Sequence, residues 1–152
     1  MPWNPDLVQE IADAHKHEDG ALLPILHALN DRFGYVDARA VPLIADVLNL
    51  SRAEVHGVVS FYHDFREAPA GKVVVKVCRA EACQSMGAMG LIEQLCGRHG
   101  VSLGDTSAAG VTIEPVYCLG NCACAPAAMV NDRLHGRLDA ERLDSIIAEA
   151  QS

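Results

Sequence analysis

The sequence predicts an α+β protein in two parts, four short helices followed by a small sheet covered by helices. Three observations carry this. Apolar residues recur at helical spacing through the first part, a β-branched run from Lys72 to Cys78 opens the second, and all six cysteines lie beyond the break. The division falls at Glu67-Ala68-Pro69-Ala70-Gly71, where Pro and Gly interrupt the helical pattern, which gives residues 1–70 and 71–152 as the expected domains.

In the first part, Asn4-Pro5 opens a helix with a capping side chain and a proline at the first helical position, and Leu7 and Ile11 follow one turn apart. After Asp19-Gly20, the residues Leu22, Leu26, Leu29 and Phe33 mark one buried face that Gly34 ends. Asp37 is placed to cap a third helix carrying Val41, Ile44 and Leu48. Ser51-Arg52-Ala53-Glu54 is a capping box, after which Val55, Val58, Val59 and Tyr62 keep helical spacing. The expected arrangement is a helical bundle.

Beyond residue 70 the expected order is a strand at 72–78, a helix at about 85–98 and a strand at 111–117. Short strands at 127–130 and 134–138 flank an Asn131-Asp132 turn. A last helix has Asp139 as its cap and Leu143, Ile146, Ile147 and Ala150 on one face.

Twelve basic against twenty acidic residues give a net charge of −8, the wrong sign for neutralising phosphates, so nucleic acid is not an expected partner. The imbalance is concentrated in residues 1–70, with eleven acids against five bases. No apolar run approaches the roughly 20 residues that span a bilayer. The start, Met1-Pro2-Trp3-Asn4-Pro5-Asp6, has neither a basic nor an apolar leader region. A cytoplasmic, reducing setting without direct membrane insertion is therefore expected.

The cysteines carry the chemistry. Cys78 and Cys83 form C-x4-C at the end of one expected strand, and Cys118 and Cys122 form C-x3-C at the end of another. If those strands are near each other in one sheet, four thiolates gather on one rim, and a tetrathiolate metal site follows. A disulfide framework needs an oxidising compartment, and a thioredoxin-type redox pair needs a C-x-x-C that never occurs. Soft thiolates admit zinc or an iron–sulfur cluster, and spacing alone leaves both open. It does exclude the C-x4-C-x2-C of plant-type ferredoxins and the Cys-x-His of a Rieske centre.

Cys83 is expected just before a helix start at Gln84-Ser85, where free N–H groups favour an anionic site. Gly87 and Gly120 allow the backbone to approach sulfur, and Arg79 lies beside Cys78. Cys96 follows Ile92 by one turn and reads as a small buried hydrophobe. Between Cys122 and Cys124 spacing does not choose. His15-Lys16-His17-Glu18 reads as a charged helix end, because H-E-x-x-H fails at Ala21. His56, His63, His99 and His135 are isolated in sequence. Phe61, Tyr62 and Phe65 read as core, with a partner-facing patch as the alternative.

Cys78-x4-Cys83, thirty-four residues, then Cys118-Leu-Gly-Asn-Cys122-Ala-Cys-Ala125-Pro126 resembles the thioredoxin-like [2Fe–2S] subunit of NADH:quinone oxidoreductase (complex I) and its relatives. Those relatives include the electron-input modules of NAD-reducing hydrogenases and the gamma subunit of NAD-dependent formate dehydrogenase. Leu22-Leu23-Pro24-Ile25-Leu26, Phe33-Gly34-Tyr35 and Glu54-Val55-x-Gly57-Val58-Val59-x-Phe61-Tyr62 resemble the helical half of the same family, so the likeness covers nearly the whole chain. It implies a four-helix bundle followed by a thioredoxin-like [2Fe–2S] ferredoxin domain. Its cluster would sit on Cys78, Cys83, Cys118 and Cys122, with Cys124 a spare thiol. Around Cys83, Ala80-Glu81-Ala82-Cys83-Gln84-Ser85-Met86-Gly87-Ala88 departs from the Gly-Thr-Ala-Cys-His of complex I members and is more similar to the formate dehydrogenase subunit.

No G-x-G-x-x-G follows a strand, so no nucleotide site is encoded by that signature. The resemblance instead implies FMN and NAD on a partner subunit, and a larger formate dehydrogenase complex around both chains. This chain would then be a non-catalytic electron-transfer subunit passing single electrons. A zinc-stabilised adaptor is the rival of a different class.

Overall fold

The computed structural model describes residues 3–152. Met1 and Pro2, part of the start read against export, lie outside the described residues. The chain divides into two compact units, one ending at Pro69 and the other beginning at Ala70. Together the described residues form a mixed α/β protein with seven α-helices and a four-stranded sheet.

The first unit holds α1 (Pro5–His15), α2 (Leu22–Phe33), α3 (Ala40–Leu48) and α4 (Arg52–Phe61). Local chemistry sets their ends. Asn4 Oδ1 accepts the Asp6 and Leu7 N–H groups at 3.0 and 3.3 Å. Gly34 closes α2 at φ 82°, a conformation that costs glycine no steric penalty. The Ser51 capping box is complete, with Glu54 N–H donating to Ser51 Oγ at 3.1 Å and Ser51 N–H donating to Glu54 Oε2 at 2.8 Å. α1 packs on α2 and α3, and α3 packs on α4, around Val8, Ile25, Leu26, Leu29, Ile44 and Val55.

Two details differ from the sequence expectation. The buried face of α1 is Val8 and Ala12, and Leu7 and Ile11 flank it half-buried, because the core lies one position round from the Leu7 stripe. α3 begins at Ala40 rather than directly after Asp37, because the Asp37 carboxylate binds the Arg39 N–H at 2.9 Å and its guanidinium at 2.5 Å, holding these residues as a turn.

The second unit runs β1 (Val73–Cys78), α5 (Glu81–Ser85), α6 (Ala88–His99), β2 (Val111–Val116), a 3-10 turn (Cys122–Cys124), β3 (Ala128–Val130), β4 (Arg133–His135) and α7 (Ala140–Gln151). The sheet order is β2-β1-β3-β4. β1 and β2 are parallel, with Val73 opposite Val111 and Cys78 opposite Val116, and the other pairings are antiparallel. The turn between β3 and β4 places Asn131 and Asp132 at φ 43° and 66°, a conformation these two residue types tolerate. Val73, Val75 and Val77 meet Leu95, Leu143 and Ile147 from α6 and α7 in a continuous core. Asp139 caps α7 by accepting the Arg142 N–H at 2.8 Å.

Here too the expectation needs correction. The helix expected at about 85–98 is α6, which starts at Ala88 after Gly87 takes φ 88°, and the short α5 ahead of it at Glu81–Ser85 was not expected. The strand expected at 134–138 stops at His135, since the Arg137 and Leu138 N–H groups turn away from the sheet to the carbonyls of Cys124 and Pro126, at 2.6 and 3.1 Å. Among the described residues no helix is long and apolar enough to cross a membrane.

Candidate metal centre

Parallel pairing of β1 and β2 makes the site. Cys78 ends β1 opposite Val116 at the end of β2, so the segment that leaves β2 carries Cys118 and Cys122 past the same edge. From β1 the chain turns at once into α5, which brings Cys83 back beside Cys78. Cys118 adopts φ 78°, an unusual backbone conformation for a side-chain-bearing residue, and Gly120 follows at φ 72°. Together they curl the loop so that the Gly120 N–H donates to Cys118 Sγ at 3.3 Å, and Cys118 and Cys122 stand with their sulfurs 3.9 Å apart.

The two pairs differ in environment. Cys78 and Cys83 are 3% and 2% exposed, packed with Ala88, Ala125 and Ala127, whereas Cys118 and Cys122 are exposed. Burial pushes the Cys78 thiol up, but hydrogen bonds from the Ala80 N–H, Cys83 and the Cys118 and Leu119 N–H groups outweigh it and bring it below the ordinary thiol value. Burial pushes Cys83 up, against the Ala127 N–H, and the neighbouring Cys78 adds to the rise. Its hydrogen bond to Cys118 and that residue's charge raise Cys122. Backbone donors thus converge on the Cys78 sulfur and favour its charged form.

All four sequence-predicted thiols meet at this edge. Cys96 lies elsewhere, half-buried against the main core on α6, and burial raises its thiol. Cys124 ends the 3-10 turn half-buried. Cys83 does not precede a helix start but lies inside five-residue α5, so the helix-end expectation is replaced by direct N–H donation from Ala127. Gly87 likewise serves the α5–α6 junction, donating its N–H to the Gln84 carbonyl. The Gly120 donor is the one expected from sequence, whereas donation from Ala127 to Cys83 and from Cys118 and Leu119 to Cys78 depends on nonlocal packing, which no residue type announces.

Other residues noted from sequence lie in different settings. His15 Nδ1 pairs with Glu18 Oε1 at 2.6 Å, at the end of α1. Phe65 is core, with its ring against His27 at 5.0 Å, while Phe61 is 73% exposed. Among the described residues no three or more His, Cys, Asp or Glu side chains converge on a single-ion position. The cysteines are arranged as two facing pairs. Four sulfurs with backbone N–H groups aimed at them suit the donor chemistry of an iron–sulfur cluster.

The sequence from residue 8 to residue 151 matches the family model described as thioredoxin-like [2Fe-2S] ferredoxin. The chain belongs to that family. A [2Fe–2S] cluster is accordingly its cofactor. As a thioredoxin-like ferredoxin, it is 31% identical over 150 residues to the NADP-reducing hydrogenase subunit HndA of Solidesulfovibrio fructosivorans, covering 98% of this chain and 87% of that protein. It is 35% identical over 127 residues to an NADH-quinone oxidoreductase subunit of Pseudomonas aeruginosa, covering 82% and 76%. Among solved structures, an NAD+-reducing [NiFe]-hydrogenase matches with a TM-score of 0.68 and 28% identity over 83% of this chain. The match spans 22% of that hydrogenase chain.

Proposed function

We propose that this ferredoxin is an electron-transfer subunit whose cluster is held by Cys78, Cys83, Cys118 and Cys122. It would exchange electrons with a flavin on an NAD-binding partner. The observation that carries the reading is the β1–β2 register, which brings two cysteine pairs from distant parts of the sequence to one edge. Bound there, the cluster supplies one-electron transfer. The chain's own residues do the rest: Cys78 and Cys83 hold the buried side, and Cys118 and Cys122 hold the exposed side. The N–H groups of Ala80, Leu119, Gly120 and Ala127 stabilise sulfur charge and so set the potential.

The NAD-linked part of the partner reading is supported by the names of the relatives, an NADP-reducing hydrogenase subunit and an NADH-quinone oxidoreductase subunit, and the flavin by the sequence resemblance alone. Formate dehydrogenase is the finer assignment, supported by the Ala80–Ala88 segment alone. The helical unit, read as a four-helix bundle and a domain in its own right, would contribute to docking.

Iron and sulfide analysis of anaerobically purified chain, with electron paramagnetic resonance after reduction, tests the cluster. Two irons and two acid-labile sulfides are expected, by the stoichiometry of the cluster. Stoichiometric zinc in a colourless folded preparation would overturn it in favour of an adaptor. Purification of the tagged chain from its native cell tests the complex. Molybdenum or tungsten with formate-dependent NAD reduction supports formate dehydrogenase, and co-purifying quinone-reducing membrane subunits or a nickel–iron subunit refutes it.

A further inference from the structure

We propose that Gly136 is a positioning residue for the cluster: its bare Cα is the seat on which the Asn121–Cys124 turn closes, and through that turn it fixes the Cys122 thiolate. The inference rests on the reading of Cys122 as a ligand.

A Cβ built on Gly136 would stand 2.7 Å from Asn121 Nδ2, 2.7 Å from Cys124 Cβ and 2.8 Å from the Cys124 carbonyl oxygen. These contacts bracket Cys122 on both sides. The Asn121 amide can rotate away, but Cys124 Cβ and its carbonyl move only with the backbone. That backbone is clasped: the Arg137 N–H holds the Cys124 carbonyl at 2.6 Å, the Leu138 N–H holds that of Pro126 at 3.1 Å, and the Cys124 N–H closes the turn on the Asn121 carbonyl at 3.0 Å. Gly136 is not strained itself, having no left-handed φ. Close approach is what requires glycine here. A methyl group at this position must lift the turn, and Cys122 moves with it while Cys78 and Cys83, held by β1 and α5, do not.

The test uses the full-length holo chain carrying Gly136→Ala, beside two controls in the same unit. Gly97→Ala meets open space on α6, and Gly71→Ala collides with the Gly110 carbonyl at the start of β1, away from the four thiols. Gly136→Ala is expected to shift the g values of the reduced cluster and its reduction potential, and to speed bleaching by an iron chelator about tenfold. Both controls should keep the wild-type spectrum and potential, although Gly71→Ala lowers stability. Wild-type g values and potential in Gly136→Ala overturn the proposal, as does an equal shift in Gly71→Ala. If Gly136→Ala yields no coloured protein, circular dichroism of the cluster-free chain decides. Wild-type secondary structure supports a local effect on the turn, and its loss overturns it by making Gly136 a requirement for folding. Cys122→Ser and Cys124→Ser, run alongside, report on the ligand reading separately: a cluster that survives Cys122→Ser and is lost in Cys124→Ser defeats that reading whatever Gly136→Ala shows.

Discussion

Cys78 and Cys83 lie on a strand and an α-helix, buried among alanines, whereas Cys118 lies on the loop after β2, Cys122 opens the 3-10 turn that follows, and both face solvent. The same residue type serves both sides of one site under opposite conditions. The buried side gains its hold from packing and from N–H groups that replace water at sulfur. The exposed side gains it from loop conformation, with Cys118 and Gly120 both in the left-handed region. On the proposed ligand set, a centre built this way is packed where it meets the core and open to solvent on its other side.

The strongest way to break this comparison is serine at each thiol in turn. Loss or strong alteration of the visible spectrum is expected at all four, but Cys78→Ser and Cys83→Ser should also lower the stability of the cluster-free chain by about 1–3 kcal/mol, from a hydroxyl among alanines. Thermal unfolding checks this. Equal effects at all four positions would erase the distinction. Cys96→Ser and Cys124→Ser should keep the spectrum.

Overpacking sharpens it next. Ala88 is fully buried against the inner pair, so Ala88→Leu should cost about 1–3 kcal/mol and impair cluster reconstitution, followed by absorbance. Alkylation of the cluster-free chain is expected to be graded. Mass spectrometry should find Cys118 and Cys122 modified about tenfold faster than Cys78 and Cys83, since burial must be relieved by local opening before the inner pair reacts.

The smallest effect lies outside the comparison and serves as its control. The Arg39 guanidinium holds the Asp37 carboxyl down, at about 2 against an ordinary 3.8. The stabilisation is present above 3.8 and is lost as pH falls towards 2. Asp37→Asn should flatten this acid dependence of unfolding without altering the cluster spectrum.

Much of this was legible from residue spacing. The caps at Asn4, Ser51 and Asp139 and the stop at Gly34 are local devices, and each holds its helix end in the structure. So is the turn at Asn131-Asp132. The four thiols could be named as candidates because each pair ends a strand, but their meeting depended on β1 and β2 being neighbours, which no local pattern encodes. The short α5 was hidden because five residues are too few to show an apolar period, and Ala88 to His99 alone has a full apolar face. The premature end of β4 was hidden because Leu138 continues the alternation while its N–H serves Pro126. The Ala127 N–H at Cys83, the Cys118 and Leu119 N–H groups at Cys78 and the seat at Gly136 belong to the same class, invisible until distant segments touch.

The parallel pairing of β1 with β2 also bears on how the molecule comes to exist. To place Val116 opposite Cys78 the chain must leave the end of one strand, travel through two helices and return to the start of the other. Closing so long a loop is slow compared with forming a helix. The inner and outer cysteines are therefore strangers during early folding, and the four thiols come together only once β1 and β2 have paired. On the proposed ligand set a bound cluster would tie those two strand ends together much as a covalent staple would, and the exposed outer loop is the side expected to open first.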